Sequence, residues 1–198
     1  MGRCVPLAVC LLLNTALVAA AIEPRISEAP LRPPVVAPAP GPSVMLAVQY
    51  DASKLPPPVA RLRDQLMDIA HSGDISRLKD IIDGNEGMPR FTFGDEADPI
   101  AFWKEISGDG EGREVLAILL EVLQSGYVVI RDDDDRPLYV WPYFAELPIK
   151  GLTPRQEVEL YMLVTAQDRQ DMEEFGAYNF FRVGIREDGQ WQYFVAGD

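Results

Sequence analysis

The run Tyr178-Asn179-Phe180-Phe181-Arg182-Val183-Gly184-Ile185, the turn Glu187-Asp188-Gly189-Gln190, and the run Trp191-Gln192-Tyr193-Phe194-Val195 decide the fold class of this chain. Asn179, Phe181, Val183 and Ile185 alternate with Tyr178, Phe180 and Arg182, and Trp191, Tyr193 and Val195 alternate with Gln192 and Phe194. Period-two alternation around an Asp-Gly turn is the pattern of an antiparallel hairpin, and its aromatic residues suit cross-strand pairing. A second hairpin lies upstream. Tyr127-Val128-Val129-Ile130 reads as a strand, Asp132-Asp133-Asp134-Asp135 turns the chain, and Pro137 to Trp141 returns until Pro142 breaks the run. Two hairpins predict an antiparallel sheet of about four strands.

Helices precede and separate the hairpins. Pro56 to Pro58 open a first helix with Leu62, Leu66, Ile69 and Ala70 at helical spacing, stopped by Ser72-Gly73. Asp74 caps a second, carrying Ile75, Leu78, Ile81 and Ile82. These two form an αα-hairpin. Asp98-Pro99 opens a third helix with Ile100, Trp103 and Ile106, and Glu114 to Leu123 is a fourth with a broad apolar stripe. Between the hairpins, the Thr153-Pro154-Arg155-Gln156 capping box opens a helix running to Thr165, with Val158, Tyr161, Met162 and Val164 among its apolar positions. Gln170 to Phe175 adds a short one. Helices, hairpin, helices, hairpin is the order of an α+β domain.

Upstream of residue 59 the character changes. Arg3 precedes a mostly apolar run, Cys4 to Val18, ending in Ala19-Ala20-Ala21. This predicts an export signal over 1–21, cleaved before Ile22 or one residue earlier. The run is too short and interrupted to span a membrane, which takes about 20 apolar residues. Both cysteines, Cys4 and Cys10, fall inside the signal, so the mature chain has no disulfide framework and no thiol chemistry. Ten of the 17 prolines lie between Pro24 and Pro58, which predicts an extended proline-rich tether over 22–58, about 100 Å long if fully stretched. Within it, Val44 to Tyr50 reads either as an edge strand on the domain or as part of the linker. The remaining 59–198 is long enough for one domain with its own core.

The chain carries a net charge of −13. Of its 31 acids and 18 bases, only Glu23, Glu28, Asp51 and Arg3, Arg25, Arg32, Lys54 precede residue 59, leaving 28 acids against 14 bases in the domain. Such a surface repels nucleic-acid phosphates.

No catalytic, cofactor-binding or metal site stands out. His71, the single histidine, sits at a predicted helix end and excludes a multi-histidine zinc site. Consecutive aspartates at 132–135 point in different directions on a turn, unlike alternating calcium ligands. Trp141-Pro142-Tyr143-Phe144 is the candidate surface: Trp141, Tyr143 and Phe144 around a strand-breaking proline form either a binding ledge or a cap on the core.

The segments Tyr139 to Phe144, Leu152 to Pro154, Phe175 to Gly184, Asp188 to Trp191 and Phe194 to Asp198 together resemble a family of small exported alphaproteobacterial proteins, over about the last seventy residues. The resemblance implies a periplasmic location and brings no activity or catalytic residues. The sequence therefore leads to the expectation of a non-enzymatic periplasmic domain, without a cofactor, that binds an envelope protein, peptide or glycan. A small carboxylate-dependent hydrolase and a structural accessory subunit of an envelope complex are the alternatives.

Overall fold

The strand Pro137–Trp141 explains the architecture, because it is buried on both faces. The computed structural model describes residues 46–197. Helices α1 (Pro57–Ser72), α2 (Leu78–Asp83), α3 (Pro99–Ile106) and α4 (Arg113–Gln124) come first, then β1 (Val128–Arg131) and β2 (Pro137–Trp141). Helices α5 (Pro154–Tyr161) and α6 (Ala166–Phe175) follow, then β3 (Arg182–Arg186) and β4 (Trp191–Val195). The strands form one antiparallel sheet in the order β1-β2-β3-β4, so the domain is α+β.

Alternation along β2 sends Tyr139 and Trp141 into a core shared with α1 to α4, and Leu138 and Val140 into a second core with Leu160, Met172 and Tyr178. The sheet is thus covered by the four N-terminal helices on one face and by α5 and α6 on the other. Among the described residues, no helix is long and apolar enough to cross a membrane.

The first layer follows the sequence closely. Pro57 occupies the first turn of α1, where its missing N–H costs nothing, and Gly73 ends the helix at φ 68°. Asp74 accepts from the Ser76 backbone N–H at 3.0 Å and starts the second arm of the αα-hairpin, with Ile75, Leu78 and Ile82 buried. Asp98 accepts from the N–H groups of Ile100 and Ala101 at the start of α3, and α3 delivers Trp103 to the centre of the core. Its ring stacks on Trp191 at 6.0 Å and touches Phe194 at 5.6 Å. Asp109 collects hydrogen bonds from Ser107, Glu111, Gly112 and Arg113, which fixes the glycine-rich loop before α4.

Three expectations are corrected. The tether does not run to residue 58. Gln49 exchanges both backbone hydrogen bonds with Tyr127, each 2.8 Å, and so extends the sheet at the β1 edge. Leu46 and Val48 pack on the second core, and Leu55 is buried in the first. Apolar residues between the prolines supply contacts that a proline count conceals. Residues 1–45, with the predicted signal and the rest of the tether, lie outside the described residues.

The helix expected to run to Thr165 stops at Tyr161, and α6 starts at Ala166 rather than Gln170. Thr165 and Asp168 form a second reciprocal capping box, Thr165 N–H to Asp168 Oδ2 at 2.9 Å, which starts a new helix. Finally, the pairing shifts between Gly184 and Ile185: Gly184 faces Tyr193, whereas Ile185 faces Trp191. This bulge places Trp191 and Phe194 in the same core, against the simple alternation, while Tyr193 packs on the other side. A side chain at Gly184 would collide with the Tyr193 ring.

Candidate functional site: a cleft beside helix α5

The expected aromatic ledge is not a surface. Trp141, Tyr143 and Phe144 are at most 1% exposed. After Pro142 the chain enters a short 3-10 turn, Tyr143–Glu146, that lies under the second layer. Trp141 therefore packs against Tyr127 in the first core, ring centroids 5.1 Å apart, and Phe144 stacks on Tyr178 in the second at 6.3 Å. Tyr143 and Phe144 still matter, as the floor of a cleft of about 320 Å³ bounded by Tyr50, Glu121, Arg155 and Met162.

The cleft is assembled by three elements. The Gln49–Tyr127 pairing holds Tyr50 across Gly126, a position where a Cβ would lie 2.8 Å from the Tyr50 ring and 3.0 Å from Tyr143. The capping box fixes the start of α5, and one turn of that helix separates Arg155 from Glu159. The three groups converge on Glu159. Tyr50 and Tyr143 each donate a hydroxyl to its Oε2 at 2.8 Å, and Arg155 Nε donates to Oε1 at 2.8 Å. The Arg155 guanidinium also lies over the Tyr50 ring, 5.2 Å from its centroid.

Burial pulls the Glu159 pKa up, but hydrogen bonds from Arg155, Tyr143 and Tyr50 outweigh it and hold the carboxyl below its ordinary value. Burial and the neighbouring carboxylate push the Tyr143 phenol far above its ordinary range, and Tyr50 moves in the same direction for the same reasons. At neutral pH this is one anion held by donors that keep their protons. It is suited to fixing shape and charge, and none of its groups is tuned to exchange a proton near neutrality. Glu146, whose pKa burial raises against the opposing pull of Arg182, does not line the cleft.

Helix α5 carries the second feature. Its buried residue is Leu160, followed by Leu163 and Val164 in the turn beyond. Val158, Tyr161 and Met162, expected to be among its apolar packing positions, are instead 64%, 51% and 71% exposed. They recur at i, i+3 and i+4, so they share a face that points away from both cores. Next to it runs a groove of about 520 Å³ between α4 and the turn after α5, floored by Ile118, Leu163, Val164 and Phe180. Glu121, Met162 and Leu163 border both depressions.

Among the described residues, the other sequence candidates form no site. His71 is exposed in the last turn of α1, and the adjacent Ser72 hydroxyl donates to the Ile69 carbonyl at 2.6 Å. In the aspartate turn, Asp132 accepts from Arg186 Nε at 2.7 Å, and Asp134 pairs with Arg136. Among the described residues, no group of three acids, histidines or cysteines is arranged to hold a metal ion. Sequence reasoning missed Tyr50, Arg155 and Glu159. The i, i+4 spacing of Arg155 and Glu159 was visible; their meeting with Tyr50, 109 positions away from Glu159, was not.

Compared with protein-family models, curated proteins and solved structures, the chain matches none.

Proposed function

We propose that this chain is exported to the periplasm, and that its folded part is a non-enzymatic domain that binds an envelope component through α5 and the cleft beside it. The observation that carries the reading is the outward apolar face Val158, Tyr161 and Met162. Three large apolar side chains at helical spacing are an unfavourable surface in isolation and a favourable one when covered. The neighbouring Tyr50–Glu159–Arg155 cluster spends its hydrogen bonds internally, which supports a rigid rim rather than a reactive centre. A location outside the cytoplasm is supported by the 1–21 leader and by a mature sequence free of cysteine.

Two measurements test this. Fractionation with N-terminal sequencing should find the mature chain in the periplasm, starting near Ile22; intact Met1 on a cytoplasmic protein overturns the export part. A photo-crosslinking residue at position 162 in the full chain should capture a discrete envelope component, and the same probe at exposed His71 should not. Equal labelling at both positions sinks the binding face.

A further inference from the structure

Building on the binding reading above, we infer that the α4–α5 groove receives a cationic, amphipathic segment of a partner protein, its large aliphatic side chain seated beside Met162 and its lysine or arginine on Glu121. The chemistry of the walls decides the class of ligand. The floor is aliphatic and aromatic: Ile118, Leu163, Val164 and Phe180. It is bordered along α4 by Glu114 and Glu121, two turns apart on the same face.

The acids differ in their state. Glu114 Oε2 accepts from the Gly108 N–H, and Asp168 is engaged in the Thr165 capping box. Glu121 is exposed at the junction of the two depressions and, among the described residues, has neither hydrogen bond nor ion pair. An unpaired carboxylate beside Met162, the most exposed large apolar residue among the described residues, asks for a cation and an apolar group on one ligand. Methionine adapts its shape to varied apolar partners.

Other occupants fit less well. A glycan presents hydroxyls and needs free convergent polar groups, but in the groove Thr165 and Asp168 are bonded to each other and Glu114 is held by the Gly108 N–H. A second copy of the chain would bring a net charge of −13 against the same −13. Helix-in-groove recognition, with apolar anchors flanked by charge, matches both the shape and the sign of this site.

The test titrates the full chain with four probes: a designed Leu/Lys amphipathic peptide, its Leu/Glu and Ser/Lys counterparts, and an N-acetylglucosamine hexamer. Binding is read by calorimetry and by the NMR signal of the Met162 methyl. The Leu/Lys peptide should bind and move that signal; the Leu/Glu and Ser/Lys peptides should do neither. Met162→Glu and Glu121→Lys should each weaken binding about tenfold, and Glu121→Lys should gain affinity for the Leu/Glu peptide. Both sites are exposed, and circular dichroism checks that each variant folds.

Leu/Lys binding that neither substitution alters, or no binding at all, overturns the inference. Binding of the hexamer alone at the Met162 methyl overturns it while leaving the binding domain intact. A concentration-dependent dimer that Met162→Glu abolishes assigns the groove to a second copy and overturns it too. Failure of every probe, together with no specific crosslink from position 162, removes both readings.

Discussion

The two layers around the sheet use apolar residues in opposite ways. In α1 and α4 of the first layer, helical periodicity and burial agree: Leu62, Leu66 and Ile69 of α1 and Val115, Leu116, Leu119 and Leu123 of α4 all face one core; in α3, Trp103 is buried while Ile106 is exposed. In the second, α5 buries Leu160 and turns Val158, Tyr161 and Met162 to solvent. Its position is fixed by Leu160 in the second core together with polar contacts. The capping box fixes its start, Arg169 pairs Glu157 at 2.9 Å, and Glu159 collects the two tyrosines and Arg155. Where an apolar pattern and burial coincide, the pattern explains folding. Where they separate, the leftover apolar face needs another explanation, which under the proposed function is association.

The sharpest way to break this comparison is to damage the first layer. Trp103 is fully buried among Trp191, Phe194 and Phe91. Trp103→Ala should cost about 3–5 kcal/mol, read from the urea unfolding midpoint. A loss below about 1 kcal/mol would mean that the first core is not what holds the domain.

How much of this was legible follows from the range of the interactions. Three helix starts were readable because caps are local: Asp74, Asp98 and Thr153 act on N–H groups within three residues; the start of α6 was misplaced although its Thr165 cap is equally local. Strands β3 and β4 were readable from period-two runs, and β1 and β2 from the apolar runs on either side of the aspartate turn. The bulge at Gly184 was not, because it depends on the register with β4. The aromatics at 141–144 stood out in sequence, but which core each one enters depends on the turn after Pro142. The site was least legible of all. Tyr50 lies in a proline-rich stretch, and its partner Glu159 lies on a distant helix.

The next effect concerns the junction of the layers. Gly126→Val places a branched side chain where even a Cβ meets Tyr50 at 2.8 Å and Tyr143 at 3.0 Å. Overpacking there should cost about 1–3 kcal/mol and displace Tyr50, so the Tyr50 NMR signals should shift while those of Trp103 stay. Unmoved Tyr50 signals would show that the Tyr50 ring does not pack against position 126.

Glu159→Ala comes next. It strands the buried Tyr143 hydroxyl, which should cost about 1–3 kcal/mol. The pH dependence has a definite sign. The folded carboxyl sits below its ordinary 4.5, so the unfolded chain binds that proton more readily. The contribution is complete above about pH 4.5 and is lost as pH falls through the folded value. Asp109 acts in the same direction. Its pKa is held at about 2 against an ordinary 3.8, first by the Ser107 hydroxyl and then, against a smaller opposing effect of burial, by the loop N–H groups. Acid titration should therefore show a steeper loss of stability below pH 4.5 in the parent chain than in Glu159→Ala. Parallel acid limbs would show that the Glu159 cluster adds nothing to folding.

The smallest expected effect on stability is also the most informative. Val158→Ser and Met162→Glu alter side chains that are 64% and 71% exposed. Little apolar area leaves the protein interior, and, among the described residues, neither side chain makes a hydrogen bond or ion pair. Each should therefore change unfolding free energy by no more than about 0.5 kcal/mol. That outcome is the one the proposed binding face requires of residues that do not hold the fold together. If Met162→Glu instead destabilises the domain by more than about 1 kcal/mol, the α5 face belongs to the fold like the stripes of α1 and α4. The contrast between the layers then disappears, and the argument for a covered surface goes with it.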